Sequence, residues 1–492
     1  MLCIWLSGDH IAMNIRLIGN VIGAILWVLG LFLLLPLAIS LLYHDGAWGS
    51  FVPVIALCGV LGFALRRIPV QKKQMQGRDG YVAVALCWVI LAIFGCLPYL
   101  LSGSLHSFAD AVFETASGIT TTGASIVTDV ERLCPSIQFW RSLTQWMGGM
   151  GVLVLFLALM PKLGDGAVYL MRAESPGPIK SKLVPKVSQS AKILYAIYIG
   201  LTAAEVIALL LTGMPLFDAV NHAFTTMATG GFSIRSSGVG SYGTAAIWVI
   251  TAFTFLAGAN FSVLFAAIRG RWREVLHSEE LRLYACLVAV SSVLIVGNLL
   301  LETETTVGQA FTDAIFQVVT LVTTTGYATA DFALWPSFSC AILLLLMVTG
   351  ACAGSTAGGV KLGRIQILYR NFRRELRKIL HPNHISTITI DGMPVEERVI
   401  SGAGAFLVAY CLIAVLGTVV VSWDNVGLLE SISAAVTCIS NVGPGLGALG
   451  PMANFSVLSD GSKFVLSLIM LMGRLELMPL LVLFSRHTWK HS

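Results

Sequence analysis

Long apolar runs separated by short polar connections dominate the chain. They occupy residues 18–43, 51–65, 80–101, 140–160, 193–212, 246–268, 282–301, 338–368, 399–421 and 463–485. A bilayer core about 30 Å thick needs roughly 20 apolar residues per helix, so the pattern predicts ten membrane-spanning helices. Among the polar connections, "TTTGAS" at 120–125 returns as "TTTGYA" at 323–328, each flanked closely by apolar sequence.

Composition supports the membrane reading. Of 492 residues, 56% are hydrophobic and 12% charged, and the mean hydropathy is +0.82, well outside the range of soluble domains. The first run begins near Met13, is too long for a removable signal peptide and lacks a small-residue cleavage site, so it reads as a retained span. Translation can start at Met1 or at Met13.

Basic residues set the orientation, because Lys and Arg collect in short cytoplasmic loops. Loop 66–79 carries Arg66, Arg67, Lys72, Lys73 and Arg78, and loop 269–282 carries Arg269, Arg271, Arg273 and Arg282. Loop 162–192 is basic as well. Segments 102–110, 212–218, 301–313 and 422–430 hold acids without Lys or Arg. The first group is therefore expected inside, the second outside, and both termini in the cytoplasm. The net charge of +5 reflects this topology and gives no reason to expect nucleic acid as a partner. The ten cysteines lie mostly within apolar spans and form no CxxC pair, which is packing usage. There is no HExxH, GxSxG or phosphate-binding loop, so an enzyme is not expected.

The recurring hexapeptide belongs to a longer unit present four times: "FADAVFETASGITTTGAS" (108–125), "LFDAVNHAFTTMATGGFS" (216–233), "FTDAIFQVVTLVTTTGYA" (311–328) and "LLESISAAVTCISNVGPG" (428–445). Asp110 to Gly123, Asp218 to Gly231, Asp313 to Gly326 and Glu430 to Gly443 are each thirteen residues apart. An acid suits a helix N-cap and the positive end of the helix dipole, so each unit is expected to start a helix at its acid on the outer surface. About ten residues at about 1.5 Å each reach half the hydrocarbon thickness before the polar segment, so each unit reads as a half-helix that dips in and returns. Irregular backbone at that depth must line protein or a water-filled cavity. Four such loops can meet on one axis and present carbonyl and hydroxyl oxygens to a dehydrated alkali cation, with glycine supplying backbone angles other residues resist. The plainer alternative, that Thr and Gly merely let helices pack closely, gives no reason for the identical spacing.

With these repeats, "GACAGSTAGGVK" (350–361) and "GRLE" (473–476), the chain resembles the membrane subunit of the Trk/Ktr/HKT potassium uptake superfamily, of the TrkH type, over nearly its whole length. The resemblance implies an all-α membrane protein with four membrane–pore-loop–membrane repeats around one pseudo-fourfold pore, plus two extra N-terminal helices. The units would be 1–79 (helix pair and cytoplasmic loop), 80–192, 193–281, 282–398 and 399–492. Potassium ions would be bound by Thr121, Thr122, Thr229, Gly230, Thr324, Thr325, Asn441 and Val442, together with the filter glycines Gly123, Gly231, Gly326 and Gly443. In this family a serine in place of the first filter glycine accompanies sodium transport in some plant members, so Gly123 favours potassium. The fourth segment, "SNVGPG", departs from the threonine pattern and precludes true fourfold symmetry. The resemblance also implies a bacterial inner-membrane location within the lipid bilayer, a homodimer, and a cytosolic nucleotide-binding TrkA-like regulatory ring.

The run 338–368 carries Gly350, Gly354, Gly358 and Gly359, and each glycine costs about 1 kcal/mol in a helix interior, so the helix is expected to break there unless the run is a small-residue packing face. The resemblance makes 350–359 an intramembrane gating loop. Arg474 and Glu476 lie within the last apolar run, where ionisable groups face a cavity or a partner, and on a helix they cannot face each other. Arg474 would point into the pore or to the loop, or bond backbone carbonyls. Lys361 would hold the loop or snorkel to the cytoplasm. His222 lacks ligand spacing and reads as a packed or surface-facing histidine rather than a proton relay. The basic stretch 370–380 marks the cytoplasmic side and could dock an acidic partner or lipid head groups. A gated pore for potassium uptake is preferred over a symporter coupled to protons or sodium, because inverted repeats would favour the latter and these four share one orientation.

Overall fold

The computed structural model describes residues 13–69, 77–151, 187–381 and 386–489. Apart from one hairpin, β1 (Thr389–Ile390) antiparallel to β2 (Met393–Pro394), its regular structure is helical. Helices α1 (Ile15–Tyr43) and α2 (Trp48–Arg66) form an N-terminal pair. They touch backbone to backbone, since a Cβ on Gly23 would come 2.8 Å from Gly62 O, and small residues provide such close approach in membranes. Leu42, Val60 and Leu31 stay exposed on this pair, as a lipid-facing surface requires.

The first repeat contains α3 (Gly77–Gly95), α4 (Leu97–Leu101), the half-helix α5 (Phe108–Ile119) and α6 (Pro135–Gly149). The second contains α7 (Val187–Leu211), the half-helix α8 (Leu216–Met227), α9 (Thr244–Gly258), α10 (Phe261–Ile268) and α11 (Trp272–His277). The third contains α12 (Glu279–Glu302), the half-helix α13 (Val307–Val322), α14 (Ser337–Thr349) and α15 (Leu362–Leu380). The fourth contains α16 (Glu397–Ser422), the half-helix α17 (Leu428–Ser440), α18 (Asp460–Arg474), α19 (Met478–Phe484) and α20 (Arg486–Trp489).

Among the described residues, six helical stretches are long and apolar enough to cross a membrane: α1, α2, Gly77–Leu101, Gln189–Leu211, α12 and α16. Three of the ten expected spans are interrupted instead. The 246–268 run bends by 106° between α9 and α10, where Asn260 caps the new helix by accepting from Ser262 N at 2.8 Å. The 338–368 run stops at Thr349 and resumes at Leu362. The 463–485 run stops at Arg474, and Glu476 and Leu477 take left-handed φ of 54° and 68°, so Arg474 and Glu476 do not share one helix. In the 140–160 run α6 ends at Gly149, and 152–160 lie outside the described residues. These breaks are mutually satisfied: Ala257 O and Gly258 O, freed by the bend, accept from Thr356 N and Cys352 N at 3.4 and 3.1 Å, and Phe261 N donates to Gly354 O at 3.1 Å. Buried backbone groups at membrane depth need such partners.

The acids do not start the half-helices as expected. The N-caps are Ser107, Pro215, Thr306 and Gly427. Asp110, Asp218 and Glu430 sit in the first turn, still favourable for the dipole, whereas Asp313 is well inside α13, which starts at Val307 because the Thr306 hydroxyl caps Gln309 N. Three of the acids instead brace surrounding structure: Asp110 pairs with Lys463 at 2.7 Å, Asp218 accepts from Tyr242 OH at 2.8 Å and Asp313 from Thr329 Oγ1 at 2.8 Å.

Candidate functional site

The four half-helices end in the same backbone motif. Thr122 N, Gly230 N, Thr325 N and Val442 N donate to Ser117 O, Thr225 O, Thr320 O and Thr437 O at 2.9, 2.8, 2.7 and 2.9 Å. The preceding residues Thr121, Thr229, Thr324 and Asn441 are left-handed, with φ of 56°, 53°, 58° and 56°. Gly123, Gly231, Gly326 and Gly443 follow at 84°, 75°, 80° and 111°. A β-branched residue at positive φ is an outlier and costs about 1–3 kcal/mol; three threonines in that state are a strain the packing must hold. Asn441 fills the same position with a residue that tolerates it, so the fourth segment departs in sequence but keeps the backbone.

These segments close into a ring. A Cβ on Gly123 would fall 2.1 Å from Gly230 O, one on Gly231 1.9 Å from Thr325 O, one on Gly326 1.9 Å from Val442 O, and one on Gly443 2.7 Å from Thr122 O. Each of these four glycines thus abuts the carbonyl before the next repeat's glycine, and the fourth returns to the first. All twelve residues singled out in the sequence are brought together here. Several threonine hydroxyls already have protein partners: Thr122 pairs with Thr120 at 2.7 Å, Thr325 with Thr323 at 2.8 Å, and Thr229 donates to Ala228 O at 2.6 Å. Backbone carbonyls are therefore the principal oxygens the ring can offer a cation, and hard oxygen donors suit alkali ions.

Behind the ring lie residues the sequence reading did not single out. Glu114 and Arg141, both buried, pair at 2.8 Å. Glu114 also accepts from Ile126 N at 2.9 Å, while Arg141 donates to Ser233 O at 3.2 Å and lies over the Phe232 ring, which ties the outward limbs of the first two segments together. Gln145 Nε2 donates to Gly230 O at 2.8 Å, and Gln145 Oε1 accepts from Phe232 N at 3.1 Å. His222 is fully buried, with the Tyr327 and Tyr242 hydroxyls each 3.3 Å from its ring nitrogens; it is packed. Asn441 Nδ2 donates to Thr122 Oγ1 and Met470 O, both at 2.9 Å.

The 350–361 loop lies directly against the ring at the half-helix ends Thr324 and Ser440. Gly358 N donates to Thr324 Oγ1 at 2.7 Å and Gly359 N to Ser440 O at 2.9 Å. Gly358 admits no side chain, since a Cβ would be 2.2 Å from Ser440 O, and Gly350, Gly354 and Gly359 take positive φ. Arg474 reaches two backbone segments at once, donating to Thr356 O at 2.8 Å in the loop and to Gly148 O at 2.7 Å and Gly149 O at the end of α6. Lys361, at φ 72°, pairs with Glu476 at 2.9 Å, and Glu476 also takes Arg364, a buried partner for Lys361 that spacing along the chain did not suggest. Glu280 Oε1 accepts from Ala353 N at 2.7 Å.

A helical membrane protein whose four re-entrant segments close an oxygen-bearing ring, with a backbone loop seated against one end of it, has the architecture of an ion transporter. The chain belongs to the TrkH family, described as cation transport protein, which matches residues 50–490; this is a family of membrane transporters, not of enzymes. It is 36% identical over 491 residues to the Trk system potassium uptake protein TrkH of Salmonella typhimurium, covering 97% of this chain and 100% of that protein. It is 35% identical over 495 residues to the protein of the same name from Escherichia coli K12, again over 97% and 100%. The crystal structure of the potassium transporter TrkH from Vibrio parahaemolyticus superposes with a TM-score of 0.86 at 33% identity, covering 97% of this chain and 100% of that one.

Proposed function

We propose that this chain is the membrane subunit of a potassium uptake system, in which potassium crosses the bacterial inner membrane along the axis of the ring. The closure of the four segments, glycine against the next repeat's carbonyl around a full circuit, is the observation that carries this reading, and the relatives are named potassium uptake proteins. The carbonyls of Thr122, Gly230, Thr325 and Val442, with those of Thr121, Thr229, Thr324 and Asn441, replace the ion's hydration shell. The strained backbone at Thr121, Thr229 and Thr324 is held by repeated buried hydrogen bonds, so the oxygens are positioned before the ion arrives.

Loop 350–359 obstructs the path below the filter. Arg474 latches it through Thr356, and Lys361 and Glu476 fasten its C-terminal end. Conduction requires the loop to leave Thr324 and Ser440. Helix α15 presents Phe372, Arg373, Leu376 and Arg377 at its exposed face, a mixed basic and apolar surface suited to a cytosolic nucleotide-binding regulatory ring that moves the loop. Both termini face the cytoplasm, and two copies associate in the membrane.

The test is potassium uptake in a potassium-transport-deficient bacterium, comparing wild type with Gly123→Ser. Its Cβ would meet Gly230 O at 2.1 Å, so the variant loses preference for potassium over sodium. Unchanged selectivity overturns the filter assignment, and strict one-to-one proton or sodium coupling in liposomes replaces the pore with a symporter.

A further inference from the structure

The second filter segment lacks a side chain that the other three possess. At the residue before the filter glycine they carry Thr122, Thr325 and Val442, and the second carries Gly230. Gly230 does not take a positive φ, unlike the glycine that follows it, so backbone conformation does not require glycine there. The space is already occupied. A Cβ on Gly230 would fall 2.4 Å from both Cδ and Oε1 of Gln145 and 2.8 Å from its Nε2, and these are the three nearest atoms.

Gln145 belongs to α6, in the first repeat, and is fully buried. Its amide makes two hydrogen bonds to the second segment, donating to Gly230 O at 2.8 Å and accepting from Phe232 N at 3.1 Å. In the first and third segments the hydroxyls of Thr122 and Thr325 pair with neighbouring threonines within the same segment, and Thr122 Oγ1 also accepts from Asn441 Nδ2. The second segment has no side chain at this position, and here the amide of Gln145 holds the backbone directly. The oxygen that Gln145 holds is the same Gly230 O that abuts Gly123 in the ring.

We propose that Gln145 is a specificity-determining positioning residue: its amide takes the place of the side chain missing at Gly230 and fixes one of the four ring oxygens. A carbonyl oxygen has two lone pairs, so Gly230 O can accept from Gln145 and still face an ion. An oxygen tethered from behind cannot follow a smaller ion inward, which penalises sodium relative to potassium. The proposal rests on the filter reading given above.

The experiment measures potassium and sodium uptake by purified protein in liposomes for Gln145→Ala, Gly230→Thr, the two combined, and Gly123→Ser. Gln145→Ala lowers the potassium-to-sodium preference about tenfold, the scale of one lost buried hydrogen bond. Gly230→Thr alone overlaps Gln145 and loses transport. The double variant, in which the threonine enters the vacated space, recovers most of the wild-type preference, a rescue that general destabilisation does not produce. Should Gln145→Ala not fold, Gln145→Met fills the volume without a donor and is expected to lose the same preference. Wild-type preference in Gln145→Ala or Gln145→Met, or a double variant no more selective than Gln145→Ala, overturns the proposal. If Gly123→Ser alters preference and Gln145→Ala does not, only this inference falls; if neither does, the filter reading falls with it.

Discussion

Replacing Arg474 with alanine isolates the proposed latch on the loop. The guanidinium donates to three carbonyls, those of Thr356, Gly148 and Gly149, and Thr356 alone belongs to the loop. A hydrogen bond from a charged donor contributes about 1.5–3 kcal/mol net. Losing the bond to Thr356 therefore shifts the equilibrium towards the displaced loop by about 10- to 150-fold, since about 1.4 kcal/mol is a factor of ten. Removing a positive charge beside a cation path acts in the same direction. Other loop contacts, among them Gly358 N to Thr324 Oγ1, Gly359 N to Ser440 O, Cys352 N to Gly258 O and Ala353 N to Glu280, stay in place, so the closed form weakens without disappearing. The assay is initial-rate rubidium uptake into liposomes by the purified protein without any cytosolic partner. Arg474→Ala raises the rate by at least about tenfold, and Arg474→Lys, which keeps the charge but not the planar fork, falls between the two. A monodisperse Arg474→Ala protein with an unchanged or slower rate refutes the latch.

Two further outcomes concern stability. Glu476→Gln leaves the buried Arg364 and the part-buried Lys361 without their carboxylate; breaking a buried pair costs about 3–5 kcal/mol, so thermal unfolding in detergent moves down by several degrees, and a Glu476→Leu, Lys361→Met, Arg364→Met triple variant that is less stable than Glu476→Gln contradicts this. Burial raises the carboxyl of Asp45, but hydrogen bonds from Ser40, Ser136 and Ala47 outweigh it and hold its pKa below the ordinary value. Its stabilisation is thus complete above about pH 4 and is lost as pH falls through the lowered value in the folded protein. Asp45→Asn lowers the unfolding temperature at pH 7 and shrinks the drop seen on acidification below pH 4; an identical acid response in both proteins counts against the assignment.

The ring of four segments was legible because a backbone motif repeated four times leaves a fixed count between acid and glycine, and the same count survives where threonines do not, at Asn441 and Val442. The role of the acids was misread. N-capping chemistry is local, and at α13 the stronger local signal was Thr306 followed three residues later by Gln309, a capping pair upstream of Asp313. The residues four positions after three of the acids, Glu114, His222 and Gln317, also fall in register, and all are buried with hydrogen bonds to filter segments or their flanking tyrosines; this correspondence was available from the aligned repeats. The bend between α9 and α10 carried only the weak cue of Asn260 as a cap, because the partners of its freed carbonyls, Cys352 N and Thr356 N, come from the 350–361 loop of another repeat. Gln145 could not be read from the chain at all: its meaning depends on the side chain absent at Gly230, 85 residues away. Likewise Glu476 finds Lys361 and Arg364 only once α18 has ended and left-handed backbone turns its carboxylate towards them.

The most direct measurement is an experimental density map of the protein loaded with rubidium or thallium, collected to locate the heavy cation. The account predicts density on the axis of the ring, within coordination distance of the carbonyls of Thr122, Gly230, Thr325 and Val442. Cation density only outside that axis, or a ring whose centre stays empty at saturating cation while transport proceeds, would contradict it.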